Sequence, residues 1–176
     1  MKHLAGSIVL HRTKGFLPWG IRLFMGIYGK KKPKHNHAEI LVWHDGELKS
    51  LGAIKGGARI RPVKHSLKKV TDYAVFVPNE RFTEEERILL EQVAEWTYVY
   101  NYVPYQVTNF VSWIGYIFKG KWIGKDSPKR QYCYELVARV TNKIRPGSFP
   151  DPERTDIFQF YNHVDYRKIE VDLENI

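Results

Sequence analysis

Cys133 is the only cysteine in the chain, and it heads the stretch Tyr132-Cys133-Tyr134-Glu135-Leu136-Val137-Ala138. A thiol in the first turn of a helix faces unpaired backbone N–H groups and the positive end of the helix dipole, both of which favour the thiolate. That placement predicts a lowered pKa and nucleophilic chemistry. The same residue also begins the stripe Cys133, Leu136, Val137 and Val140, spaced i, i+3, i+4, i+7 as on a core-facing helix. Free cysteine is among the most often buried residue types, so spacing alone leaves both roles open. A thiol nucleophile further needs an imidazole to take its proton and a polar group to orient that imidazole. Of the seven histidines, His44 borders a hairpin turn, whereas His11 and His37 are the two placed on sheet-forming stretches away from one, and His37 has Glu39 two residues on. Residues i and i+2 of a strand share a face, which makes Glu39 the candidate orienting group. Without further information, His37 reads equally as a histidine hydrogen-bonded at a strand edge, and Glu39 as a polar residue on a wet sheet face.

Several elements must position these groups. Ser7 to His11 and His37 to His44 have strand composition; in the second, His37, Glu39, Leu41 and Trp43 alternate with Ala38, Ile40 and Val42. Asp45-Gly46 between Trp43-His44 and Glu47–Leu51 predicts a two-residue hairpin, because both residue types tolerate positive φ. Ala58–Pro62 and Tyr73–Val77 are further strand candidates, separated by the basic stretch Lys64 to Lys69. Leu17–Ile27, with Pro18 early, predicts a helix, and Gly29–Lys34 a lysine-rich loop. Thr83-Glu84-Glu85-Glu86 is a capping box, with Ile88, Leu89, Val93 and Trp96 behind it at helical spacing. Aromatics from Tyr105 to Phe118 suggest another helical segment. A third helix is expected from about Lys129 or Gln131 to Ile144, then a short helix near Ile157–Tyr161 and a strand near Lys168–Val171. Strands preceding helices in this order predict an α+β domain with a mainly antiparallel sheet, spanning residues 1–176 as one unit.

Composition narrows the function. Residues 1–76 hold 15 basic and 4 acidic side chains, a net +11, whereas residues 77–176 hold 13 and 15, a net −2. A basic half attracts nucleic acid, an anionic membrane surface or an acidic polymer by the same long-range Coulomb force. One cysteine excludes a disulfide framework and zinc sites built on paired cysteines. No glycine-rich phosphate loop follows a strand, so nucleotide-fold readings fall away. Apolar runs are too short for a secretory signal or a membrane span, and the expectation is a soluble chain without a leader, cytoplasmic or of unassigned compartment. The aromatic segment Trp113–Trp122 fits core packing better than an acyl groove.

Taken in order, Gly6-Ser7-Ile8-Val9-Leu10-His11-Arg12, Asn36-His37-Ala38-Glu39-Ile40-Leu41-Val42, Ala58-Arg59-Ile60-Arg61-Pro62 and Tyr132–Ala138 resemble the circularly permuted papain-fold hydrolases of the YiiX/YebB type, relatives of the NlpC cell-wall peptidases. The resemblance covers residues from about 6 to 144. It implies a permuted papain-like (NlpC-type) α+β fold, Cys133 as nucleophile and His37 as its general base, with no cofactor and no metal required. It further implies cleavage of an amide or ester bond, or acyl transfer, in a peptide, cell-wall or lipid acyl substrate, and a substrate-contacting tyrosine at Tyr132. The family's third residue would fall near Lys49-Ser50, neither of which orients an imidazole well; Glu39 is the carboxylate placed to do so. Two other expectations stand beside this one: a non-catalytic basic protein binding nucleic acid or an anionic surface, and a member of the fold that has lost turnover.

Overall fold

The Asp45-Gly46 turn sets the register of the sheet. In the computed structural model both residues have positive φ, 51° and 76°, as the two-residue hairpin requires. They join β2 (His37–His44) to β3 (Glu47–Ile54). With β1 (Ile8–Thr13), β4 (Gly57–Pro62), β5 (Val70–Pro78) and β6 (Tyr166–Ile169) these strands form a six-stranded sheet in the order β4-β3-β2-β1-β5-β6. Every neighbouring pair is antiparallel. The structure describes residues 1–14, 22–23, 26, 33–54, 56–96, 132–173 and 175. The expected helix over 17–27, the lysine loop at 29–34 and the aromatic segment over 105–122 fall wholly or mostly outside them.

Alternation along the strands sorts side chains onto two covered faces. On one face Ile8, Leu10, Ala38, Ile40, Val42, Leu51, Ala74 and Phe76 pack against helices. These are α2 (Glu84–Val93), which contributes Leu90, and α3 (Cys133–Ile144), which contributes Cys133, Leu136, Val137, Val140 and Ile144. The stripe read from the sequence is buried as its spacing predicts, and each large apolar residue on it contributes roughly 1.5–3 kcal/mol. On the opposite face Val9, Leu41, Leu48 and Val75 meet Leu4, Leu173 and the short helix α1 (Val63–Leu67). A five-residue helix α4 (Ile157–Tyr161) begins at a capping box formed by Asp156 and Gln159.

Three expectations about elements shift. The capping box at Thr83 is present, but Ile88, Leu89 and Trp96 are exposed and the buried side of the helix is carried by Leu90 and Ala94. Packing onto α3 selects a side of the helix through Leu90 and Ala94, beside the one that Ile88, Leu89 and Trp96 mark. The last strand begins at Tyr166, two residues earlier than expected, because its register with β5 pairs Pro78 with Tyr166 and Val75 with Ile169. The third helix begins at Cys133 with Tyr132 as its N-cap, which sets the thiol at its first residue.

Candidate active site

His37 opens β2 and Glu39 follows on the same face, the face opposite α3. Register extends that face sideways. His11 on β1 lies opposite His37, Gly52 on β3 opposite Glu39, and Arg59 on β4 opposite Gly52. Arg61, two residues from Arg59, shares their side. Glu39 is fully enclosed, with 1% of its side chain exposed, and His11 nearly so at 3%; His37, at 14%, is the member that meets solvent.

One carboxylate oxygen organises the group. Arg61 Nη2 donates to Glu39 Oε1 at 2.6 Å. Nε2 of His37 lies 3.4 Å from the same oxygen and Nε2 of His11 3.5 Å from it. The two imidazoles meet edge to face, with centroids 4.7 Å apart and planes at 60°. Gly52 makes room for this arrangement: a Cβ there would lie 2.7 Å from Glu39 Cγ. Burial alone would raise the Glu39 pKa, but the two facing imidazoles overcome it and hold the carboxyl well below its ordinary range. Burial pushes the His11 ring below its ordinary value, so it is neutral near pH 7. Neither ring nitrogen of His11 has a hydrogen-bond partner.

Cys133 reaches the same stretch of β2 from the other face. The β2–β3 register ends at Glu39 opposite Gly52, so His37 and Ala38 run on past the paired part of β3. There the backbone N–H of Ala38, together with those of Cys133 and Tyr134, bears on the sulfur and favours the thiolate. The expected low pKa is nevertheless corrected by the structure: burial outweighs the amides, the nearby Glu39 charge adds to it, and the thiol is pushed up to about 12. A helix N-terminus stabilises a thiolate by a fraction of what full desolvation removes. The structure thus brings His37 and Glu39 together, and sets Cys133 beside the strand at the next residue, Ala38. Among the described residues no hydrogen bond joins the Cys133 sulfur to His37.

Tyr132 is buried, and its hydroxyl donates to the carbonyls of Glu153 and Thr155 at 3.0 and 2.8 Å, which ties the start of α3 to the turn at 152–154. At the positions expected to hold a third residue, Ser50 bonds Ser66 at 2.6 Å and Lys49 pairs with Asp45 at 2.7 Å. Sequence reasoning passed over Arg61, although alternation across β2, β3 and β4 places it on the Glu39 face; the missing signal was the β3–β4 register. A second buried histidine, His35, lies in the stretch read as a basic loop. Its Nδ1 lies 2.7 Å from the Tyr161 hydroxyl, and burial lowers its pKa to about 4.

No family model and no curated protein matches the chain. Among solved structures, the crystal structure of the metalloprotein YiiX from Escherichia coli O157:H7 superposes with a TM-score of 0.70, covering 98% of this chain and 99% of that one at 15% identity. The fold is YiiX-like. Among the described residues, no helix is long and apolar enough to cross a membrane.

Proposed function

We propose that the chain is a cysteine-dependent hydrolase of amide or ester bonds, with Cys133 as nucleophile, His37 as general base and Glu39 as the residue that positions the imidazole. The observation that carries this reading is the convergence on one step of β2. The Ala38 amide bears on the Cys133 thiol from the α3 side of β2, and the preceding residue, on the other side of that strand, is an imidazole whose Nε2 lies 3.4 Å from a buried carboxylate. Proton transfer in this reading takes the His37 ring round the start of β2, beyond the end of its pairing with β3. Arg61 anchors that carboxylate through a 2.6 Å bond from Nη2, as a group that must steady a charging imidazole requires.

In this mechanism the thiol is protonated at rest. His37 takes its proton as the sulfur attacks the substrate carbonyl carbon. The carbonyl π electrons move to oxygen, and the amides of the α3 N-terminus stabilise the resulting oxyanion. Collapse expels the amine or alcohol, which leaves with the proton from His37, and a thioester remains on Cys133. Water, deprotonated by His37, then attacks the thioester carbonyl and frees the acid and the thiol. Peptide and acyl-lipid substrates fit this chemistry alike, and the basic first half of the chain favours an anionic one.

YiiX is a metalloprotein. Among the described residues, the groups that fit a metal ion are His11, His37 and Glu39, since the buried His11 nitrogens make no hydrogen bond and the set pairs two imidazoles with a carboxylate.

The deciding experiment is incubation with p-nitrophenyl acetate followed by mass spectrometry of the intact protein and its peptides. An acetyl group on Cys133, formed with release of p-nitrophenol and lost in folded Cys133→Ser and His37→Ala variants, is the expected result. An unmodified Cys133 in folded protein at pH 8, or equal labelling in His37→Ala, overturns the reading.

A further inference from the structure

His11 has no place in the hydrolytic cycle, yet it sits buried against the Glu39 carboxylate. Its ring is buried on β1 with neither nitrogen hydrogen-bonded, an arrangement that leaves an uncompensated desolvation penalty. Its Nε2 points at Glu39 Oε1 from 3.5 Å, and His37 Nε2 approaches the same oxygen from 3.4 Å. Both separations exceed an ordinary hydrogen bond. They match the distance between two ligands of one tetrahedral ion, about 3.3 Å for bonds of about 2.0 Å. One ligand atom from each of the three residues lies within 4.8 Å of the others.

We propose that His11, His37 and Glu39 form a binding site for a divalent transition-metal cation of the imidazole-preferring kind, with Arg61 as the built-in competitor for the carboxylate. Two imidazoles and one carboxylate suit zinc and its neighbours better than calcium or magnesium, which take oxygen ligands. Arg61 Nη2 now neutralises Oε1 at 2.6 Å. A cation entering the cluster takes over that role, and the guanidinium, whose side chain is 24% exposed, has a way out to solvent. Its Nε is buried without a partner, so leaving breaks no bond at that atom. Binding would also satisfy a nitrogen of His11. Cation binding stands independently of the hydrolase reading, although a bound ion occupies the His37 nitrogen and the Glu39 oxygen which that reading pairs.

Titration calorimetry with ZnCl2 in chelator-free buffer tests the site, alongside thermal unfolding with and without zinc. Wild type is expected to bind one equivalent and to gain in Tm. Folded His11→Ala and Glu39→Gln variants, checked by circular dichroism, should lose that equivalent, and Arg61→Gln should bind zinc more tightly than wild type. Cys133→Ser, which the hydrolase reading makes inert, should bind zinc as wild type does, so the two readings fail separately. No binding to wild type, or binding that persists in folded His11→Ala, overturns the proposal. Should His11→Ala not fold, Arg61→Gln decides, and affinity equal to or weaker than wild type counts against the site.

Discussion

Gly52 stands directly opposite Glu39 in the β2–β3 register, and the space a side chain would take at 52 is filled by the Glu39 carboxylate. Glu39 is enclosed on every side, so it cannot retreat. Gly52→Ala is therefore expected to lose about 1–3 kcal/mol of stability through overpacking, and to displace Oε1 from the two imidazoles. Urea unfolding measures the first effect. The second is read from the pKa of His11 by NMR titration, which should move in the variant.

Removing Arg61 leaves a buried anion whose strongest hydrogen-bond donor is gone. Breaking a buried ion pair from one side typically costs about 3–5 kcal/mol, most of it the penalty on the charge left behind. Arg61→Met should fall near the lower end of that range, because the Arg61 side chain retains some contact with solvent. Arg61→Met combined with Glu39→Gln should lose less than the two single changes together. An additive double-mutant cycle would show that the pair is not coupled.

Period and turn chemistry carried most of the fold. The alternation over 37–44 and the turn at Asp45-Gly46 are local properties of the chain, and β2, the hairpin and the α3 stripe follow from them. The site is only partly local. His37 and Glu39 share a strand and were legible as a pair. Arg61 and Gly52 join them solely through cross-strand register, which depends on where β3 and β4 begin and bend. The state of the thiol was misread for a different reason. Helix position can be read from sequence, whereas desolvation depends on what packs over the sulfur from distant elements. Trp96 illustrates the same limit on α2, where helical spacing named an apolar face and contact with α3 chose another.

Glu86 ties α2 to the far end of α3. It closes the capping box with Thr83 and accepts from Arg145 Nε and Nη2 at 2.6 and 2.8 Å. The Arg145 bonds lower its pKa below the usual 4.5, against an opposing contribution from burial. A depressed carboxyl pKa contributes stability above the unfolded value, and that contribution is lost as pH falls through the folded one. Glu86→Gln should destabilise by about 1 kcal/mol at neutral pH. The gap from wild type should close as pH drops below 4.5, as followed by urea unfolding across an acid series.

Cys133 makes the opposite prediction at alkaline pH. Its pKa is raised from 9.0 to about 12 by burial, so between those values the unfolded chain releases a proton that the folded chain keeps. Stability from this source is complete below pH 9 and falls as pH rises toward 12, with a limiting slope of about 1.4 kcal/mol per unit. Tyrosines and lysines titrate in the same window, so the informative quantity is the difference from Cys133→Ala. That variant should lose about 1–3 kcal/mol at neutral pH to the small cavity left by the sulfur. Its disadvantage should shrink steadily above pH 9. A constant stability difference from pH 8 to 11 would show that the sulfur is already ionised, or equally solvated, in the folded chain.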